Sequence, residues 1–437
     1  MRFYLETLGC PKNRVDSEMM AQLLRQAGHR PVDNPRRAEL LIVNTCGFIE
    51  PAREESYAEL LALAEKKRRG QWLIAAGCLA QRYEDEIRQR IPQVDAVLGT
   101  QSWPEIVSLI EKLADREGTR VIVRPDGDLV ASVARESAES VTAYVKIADG
   151  CSASCAFCAI PLIKGPQRSK PPEDILREAE ELQALGVQEL VLIAQNSTAY
   201  GRDLGMEDGL PPLLDRLAER VPEVPWLRLL YAYPQDVSPH LIERMARLPQ
   251  VCHYLDLPLQ HAHPATLRRM GRPYDVQAIH DLIAELRAAI PDIALRSTFI
   301  VGYPGETEKE FEALLEFLSI TELDKVGVFA YSPEEGTAAM RLPNHLPAEV
   351  IAERYDEAMR HQQAISLAAN RRQVGRELEV LIEGVGDGVS VGRSYREAPE
   401  IDGYVLLLGE LPVGEIVPAR IIDAQEYDLI AEPSPDP

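Results

Sequence analysis

No apolar run in the chain approaches the roughly 20 residues that a membrane-crossing helix needs. The opening stretch from Met1 to Glu6 lacks both the basic segment and the apolar core of a secretion signal. Cysteine is scarce: there are seven in 437 residues, an odd number and too few for a disulfide framework. These absences imply a cytoplasmic chain whose reduced thiols serve something other than cross-linking. Basic charge is missing from one region above all. Residues 375–437 hold 4 Lys and Arg against 14 Asp and Glu, whereas residues 1–118 hold 17 against 18. Phosphate backbones are bound through Lys and Arg, so this tail disfavours nucleic acid and suits a basic protein partner.

What is present is concentrated in two sets of three cysteines. Tyr144, Val145 and Ile147 form a strand-like run ending at Asp149-Gly150, and a short loop then delivers Cys151, Cys155 and Cys158. A structural zinc site wants four protein ligands, and no His stands near to complete this set. Three thiolates on a four-iron cluster leave one iron open to a small molecule. The Cys-x3-Cys-x2-Cys spacing, with Phe157 before the last Cys, resembles the radical S-adenosylmethionine superfamily. The resemblance implies that the open iron binds the amino and carboxylate groups of S-adenosylmethionine. Reduction then cleaves it to a 5′-deoxyadenosyl radical, the cofactor carrying the chemistry. The alternative is three cysteines packed or metal-bound for stability alone, and their position at the end of a strand favours the functional reading.

Residues 1–118 alternate apolar strand-like runs, 3–10, 39–46, 72–78 and 94–99, with helical patterns at 17–27, 52–69, 85–90 and 105–113. This alternation predicts a parallel sheet with helices on its faces. Cys10, Cys46 and Cys78 end three different strands, on the sheet edge where open α/β folds bind ligands. A single such Cys is ordinarily a small buried apolar residue. Three at equivalent positions, beside Gly9, Gly47 and Gly77, read instead as the ligands of a second cluster.

Residues 119–140 read as a linker hairpin, its arms 120–124 and 129–133 flanking Pro125-Asp126-Gly127-Asp128. From 141 to 370 a new series of about six βα units predicts an open, partial TIM-type barrel with its active face at the strand carboxyl ends. Single helices are expected over 264–289 and 347–372. Polar or Gly-rich strand ends make Gln195, Asn196, Gln260, Gly302 and Glu306 candidates for holding S-adenosylmethionine. Cys252 begins its strand and reads as structural, and the spacing of His253, His261 and His263 matches no familiar metal site. Residues 371–437 turn to four strands with Gly-rich turns, a small antiparallel barrel.

This order of parts resembles the methylthiotransferases, whose C-terminal barrel is called TRAM, and the likeness covers essentially the whole chain. The resemblance implies two 4Fe–4S clusters, on Cys10, Cys46 and Cys78 and on Cys151, Cys155 and Cys158, and conversion of a C–H bond to C–S–CH3. One S-adenosylmethionine supplies the methyl group and another the radical; the reductant is of the flavodoxin or ferredoxin kind. Residues 392–403 resemble the signature of the RimO-type branch, which modifies the β-carbon of an aspartate in basic protein twelve of the small ribosomal subunit. Exposed Glu397, Glu400 and Asp402 are then expected to dock that substrate. The competing readings are a tRNA adenosine methylthiotransferase, which a basic tail would favour, and a non-enzymatic iron–sulfur or RNA-binding protein.

Overall fold

The computed structural model describes residues 1–115, 121–123, 133–136, 138, 140–272 and 274–434. The first unit runs β1 (Arg2–Thr7), α1 (Pro11–Gln26), β2 (Arg30–Pro31), β3 (Leu40–Thr45), α2 (Glu50–Lys66), β4 (Trp72–Gly77), α3 (Cys78–Arg82), α4 (Glu84–Arg90), β5 (Ala96–Gly99), α5 (Ile106–Asp115) and β6 (Val121–Val123). Its sheet has the order β2-β1-β3-β4-β5-β6, and every pair is parallel. All six residues of β3 are buried, as a central strand covered on both faces requires.

The expected linker hairpin is corrected at its first arm. Val121–Val123 lies parallel to β5, with Val121 opposite Ala96, and so extends the first sheet. A lone two-stranded hairpin is marginal in water, whereas a buried sheet edge offers the same triplet a ready ladder. Of the second arm, 129–133, residues 129–132 fall outside the described residues, and Val133 belongs to no strand. Helix α1 also starts earlier than expected, with Pro11 in its first turn, because polar Lys12, Asn13 and Asp16 are buried on it.

The second unit runs β7 (Thr142–Lys146), β8 (Ala148–Asp149), α6 (Ile160–Lys164), β9 (Arg168–Ser169), α7 (Pro172–Ala184), β10 (Glu189–Ile193), α8 (Leu210–Arg220), β11 (Trp226–Leu229), α9 (Pro239–Arg247), β12 (Val251–Asp256), α10 (Pro264–Arg269), α11 (Val276–Ala289), β13 (Ala294–Val301), α12 (Glu308–Thr321), β14 (Lys325–Ala330) and α13 (Ala348–Arg371). The six long strands form a parallel sheet in the order β14-β13-β12-β11-β10-β7, an open barrel as expected. The single helix expected over 264–289 is two: Gly271 turns at φ 69°, and Asp275 caps α11 through the Gln277 amide at 3.0 Å.

The tail closes a five-stranded barrel: β15 (Glu377–Gly386), β16 (Val389–Arg393), β17 (Val405–Leu408), β18 (Ile416–Ala424) and β19 (Leu429–Pro433). It has one strand more than the sequence suggests, and β17 pairs β19 in parallel where the others are antiparallel. One apolar core unites all three units: Val15 and Met19 of α1, Tyr144, Ile193 and Tyr254 of the open barrel, and Leu381 and Ala398 of the tail belong to it. Cys252 is buried in the same core, a structural thiol as expected. Among the described residues no helix is long and apolar enough to cross a membrane.

Candidate active site

Gly150 turns the chain out of β8 at φ 73°; a Cβ there would meet the Pro166 carbonyl oxygen at 2.2 Å. The Cys151 amide then donates to the Gly165 carbonyl at 3.1 Å, and the Ala156 amide to that of Met270 at 2.8 Å. Cys155 Sγ accepts from Arg272 Nε at 3.3 Å and Cys151 Sγ from the Ala153 amide at 3.5 Å. Arg272 is held between Tyr233 and Tyr274, 4.6 and 5.6 Å from their ring centres. Gly271 must lack a side chain, since a Cβ would meet the Ser154 carbonyl oxygen at 2.6 Å. Burial pushes Cys158 up to about 12 and raises Cys151 too, against the N–H donors that reach both sulfurs. A metal cluster would reverse this, because coordinating thiols are deprotonated.

The first triad assembles as its sequence positions require. Cys10 caps α1, Cys46 follows β3 and Cys78 opens α3, all at the carboxyl edge of one sheet. Two loops meet at Gly9, where a Cβ would stand 2.9 Å from Cys46 Sγ, and two more at Gly47, where it would stand 2.7 Å from the Leu79 amide nitrogen. Buried Asn13 braces them: its Nδ2 donates to the Leu8 and Thr45 carbonyls at 3.0 and 3.1 Å, and its Oδ1 lies 3.6 Å from Cys78 Sγ. The Ser56 hydroxyl takes the Cys46 amide and returns a bond to its carbonyl, both at 3.0 Å. Burial pushes Cys46 up to about 11 and Cys78 to about 12.

The two triads share one seam. Cys78 packs with Ala159 and Ile163, which directly follow the second triad. Asp149, two residues before Cys151, takes Lys146 and Lys164 at 3.0 Å each, and both lysines also reach Asp16 of α1. Burial alone would raise Asp149, yet the two ammonium groups hold it well below the usual carboxylate range. Arg82 pairs with Glu334, beyond the end of β14, at 2.9 Å, and Arg53 joins the same carboxylate. Lys12 lies over the Tyr231 ring, 3.1 Å from its centre, where the barrel chain leaves β11. Burial pushes the Lys12 ammonium down to about 8, while Cys10 and Asp256 draw it back up. The first unit thus sits over the carboxyl face of the barrel.

The expected cofactor residues fare unevenly. Gln195 donates to Asp149 at 3.1 Å, and its buried Oε1 has no hydrogen-bond partner among the described residues, an acceptor suited to a ligand's donor. Asn196 spends its amide within the protein, on Ala199, Thr198 and Asp236. Gln260, at φ 74°, rests its amide on Thr298. Gly302, at φ 74°, faces α13, where a Cβ would meet Ile351 at 2.5 Å. Glu306 engages its buried carboxylate within the protein, taking Arg354 at 2.8 Å and lying 3.6 Å from His261. His253 pairs with Asp292 at 2.7 Å and His263 caps α10. Among the described residues no group of three or more His, Cys, Asp or Glu is placed to hold a single metal ion.

The expected docking residues are corrected by their burial. Glu397 is fully buried and Asp402 nearly so; only Glu400 remains half exposed, on Arg14. Their segment plugs the amino-terminal end of the open barrel, opposite the cysteines. Asp402 accepts from the Tyr254 hydroxyl at 2.6 Å, Arg396 pairs with Asp324 at 2.6 Å, and Glu397 lies 3.7 Å from Lys325. Two of the tail's acidic side chains, Glu397 and Asp402, are therefore internal, whereas most of the others stay exposed. Sequence reasoning missed Lys12, Tyr231, Asp149 and Arg272. For Lys12 the signal was a charged residue two past a ligand-type Cys; for Arg272 it was the Gly before it.

Comparison with known proteins matches residues 2–99 to the uncharacterized protein family UPF0004, 145–318 to the Radical SAM superfamily and 374–433 to the TRAM domain. The chain is 50% identical to the ribosomal protein uS12 methylthiotransferase RimO of Chloroflexus aurantiacus, covering 99% of each chain. It is 47% identical to that of Moorella thermoacetica, again over 99% of each. Among solved structures, the radical S-adenosylmethionine methyltransferase TsrM of Kitasatospora setae superposes with a TM-score of 0.57 at 14% identity, covering 83% of this chain and 89% of that one. The cobalamin-dependent S-adenosylmethionine radical enzyme OxsB gives 0.54 at 12%, covering 83% and 56%. At such identities the likeness is one of fold.

Proposed function

The chain belongs to the RimO family of ribosomal protein uS12 methylthiotransferases, and we propose that it adds a methylthio group to the β-carbon of an aspartate in uS12. The observation that carries this reading is the meeting of two thiol triads, from two domains, across one seam. Cys151, Cys155 and Cys158 would hold one 4Fe–4S cluster and Cys10, Cys46 and Cys78 a second. The donor sets fit: each offers three sulfurs, and N–H groups reach Cys46, Cys151, Cys155 and Cys158. With S-adenosylmethionine bound, such clusters supply one-electron cleavage of the sulfonium and delivery of sulfur.

The chain's own residues do the rest. Arg272 neutralises the Cys155 thiolate, while Asp149 fixes Gln195 so that its buried carbonyl oxygen meets a donor of the cofactor. The charge cluster of Asp16, Lys146, Asp149 and Lys164 keeps the two domains, and so the two triads, in register. A flavodoxin or ferredoxin would supply electrons. The test is mass spectrometry of uS12 from cells lacking this chain, with and without complementation. Gain of one methylthio group only on complementation supports the reading; unmodified uS12 with modified tRNA would overturn it.

A further inference from the structure

Lys12 differs from the other cations of the seam. Lys146 and Lys164 have Asp16 and Asp149, Arg296 has Asp256 at 2.9 Å, and Arg272 has Cys155 and the Pro258 carbonyl. Lys12 is 7% exposed, and among the described residues its ammonium makes no hydrogen bond or ion pair. Its Nζ stands over the Tyr231 ring, 3.1 Å from the ring centre. The nearby carboxylate of Asp256 is already spent, with Oδ1 on Arg296 and Oδ2 on the Tyr231 amide at 3.1 Å. An ammonium carries three donors, and among the described residues none of the three meets an acceptor. What this place lacks is an anionic acceptor.

Its location says whose. Lys12 is two residues past Cys10, the exposed thiol of the first triad, and it rests on a barrel residue at the carboxyl face. We infer that Lys12 is the substrate-binding cation of this site, receiving the side-chain carboxylate of the target aspartate between the two triads. The inference rests on the function proposed above. Holding that carboxylate fixes the β-carbon, one carbon–carbon bond of about 1.5 Å away, beside Cys10's cluster site. It also favours aspartate over asparagine, whose neutral amide offers the ammonium one acceptor oxygen and no charge. Tyr231, kept at φ 64° by its bond to Asp256, is the positioning residue that presents the ammonium.

The test uses the reconstituted full chain and two uS12 loop peptides that differ only in Asp or Asn at the target position. Binding is read by fluorescence anisotropy without S-adenosylmethionine, and turnover by mass spectrometry, for wild type, Lys12→Met and Lys12→Arg. The wild type should prefer the aspartate peptide. Lys12→Met should lose roughly 30-fold or more of aspartate binding and of kcat/KM while asparagine binding changes little, and Lys12→Arg should keep most of the preference. Equal losses on both peptides, undiminished discrimination in Lys12→Met, or a rise only in KM for S-adenosylmethionine overturns the assignment. A wild type that neither binds nor modifies the aspartate peptide overturns the proposed function with it, whereas normal wild-type turnover with an indifferent Lys12→Met overturns this inference alone.

Discussion

Arg393, at the end of β16, ion-pairs with Glu189, at the start of β10, at 2.5 Å, and neither side chain is exposed. Arg228 takes the other oxygen of the same carboxylate at 2.6 Å, equally buried. Removing one member of a buried pair leaves the other charged and unpaired. Glu189→Gln should therefore cost about 3–5 kcal/mol of stability, read by urea unfolding. A loss below ~1 kcal/mol would show that the two guanidinium groups do not depend on it.

The same carboxylate sets an acid limit. Burial alone would raise Glu189, but Arg393 and Arg228 hold it down to about 2 from an ordinary 4.5. A depressed folded value means that its contribution is complete above the unfolded value and is lost as pH falls through the folded one. Wild-type stability should fall between pH 4.5 and 2, and the slope there should be smaller in Glu189→Gln. Identical slopes for the two would assign the acid limit to other groups.

The two triads should load separately. Changing Cys151, Cys155 and Cys158 together to Ala should leave roughly half of the reconstituted iron, each cluster depending on its own thiolates. Cys10→Ala should still cleave S-adenosylmethionine but form no methylthio product. Loss of all iron from the triple variant points to one shared site.

Gly77 holds the first triad's geometry. It turns at φ 94°, and a Cβ would meet Asn44 Oδ1 at 2.3 Å and the Thr45 carbonyl oxygen at 2.5 Å. Gly77→Ala should displace Cys78 and lose the first triad's iron while the second is kept. Full iron content in that variant would mean that the loop yields without moving the thiol.

Burial separates two roles for the acidic tail segment. Glu397→Lys places an ammonium beside buried Lys325 and should destabilise the fold severely, whereas half-exposed Glu400→Lys should cost no more than about 1 kcal/mol. Thermal unfolding of both distinguishes plug from docking surface. A stable Glu397→Lys variant with weakened uS12 binding would restore the docking role.

The sheets and both triads were legible in the sequence because their signals are local. Strand runs end at Cys10, Cys46 and Cys78, and the loop of Cys151, Cys155 and Cys158 spans only eight residues. What could not be read was pairing across domains. Glu397 and Asp402 look like surface charge until Lys325, Tyr254 and Arg296 are brought against them from far along the chain. Lys12 reads as a solvated helix residue until Tyr231 covers it. Glu306 and Gly302 sit at a strand end of the right kind, yet α13 claims both.

The plug at the amino-terminal end of the barrel also imposes an order in time. Glu189 and Arg228 emerge from the ribosome well before Arg393, Ser394 and Tyr395, whose groups complete their bonding. Until then the nascent barrel has an unfinished floor, with two buried-type charges still wet. A chain interrupted before residue 393 thus carries all six triad cysteines above a floor that Arg393 has not yet closed.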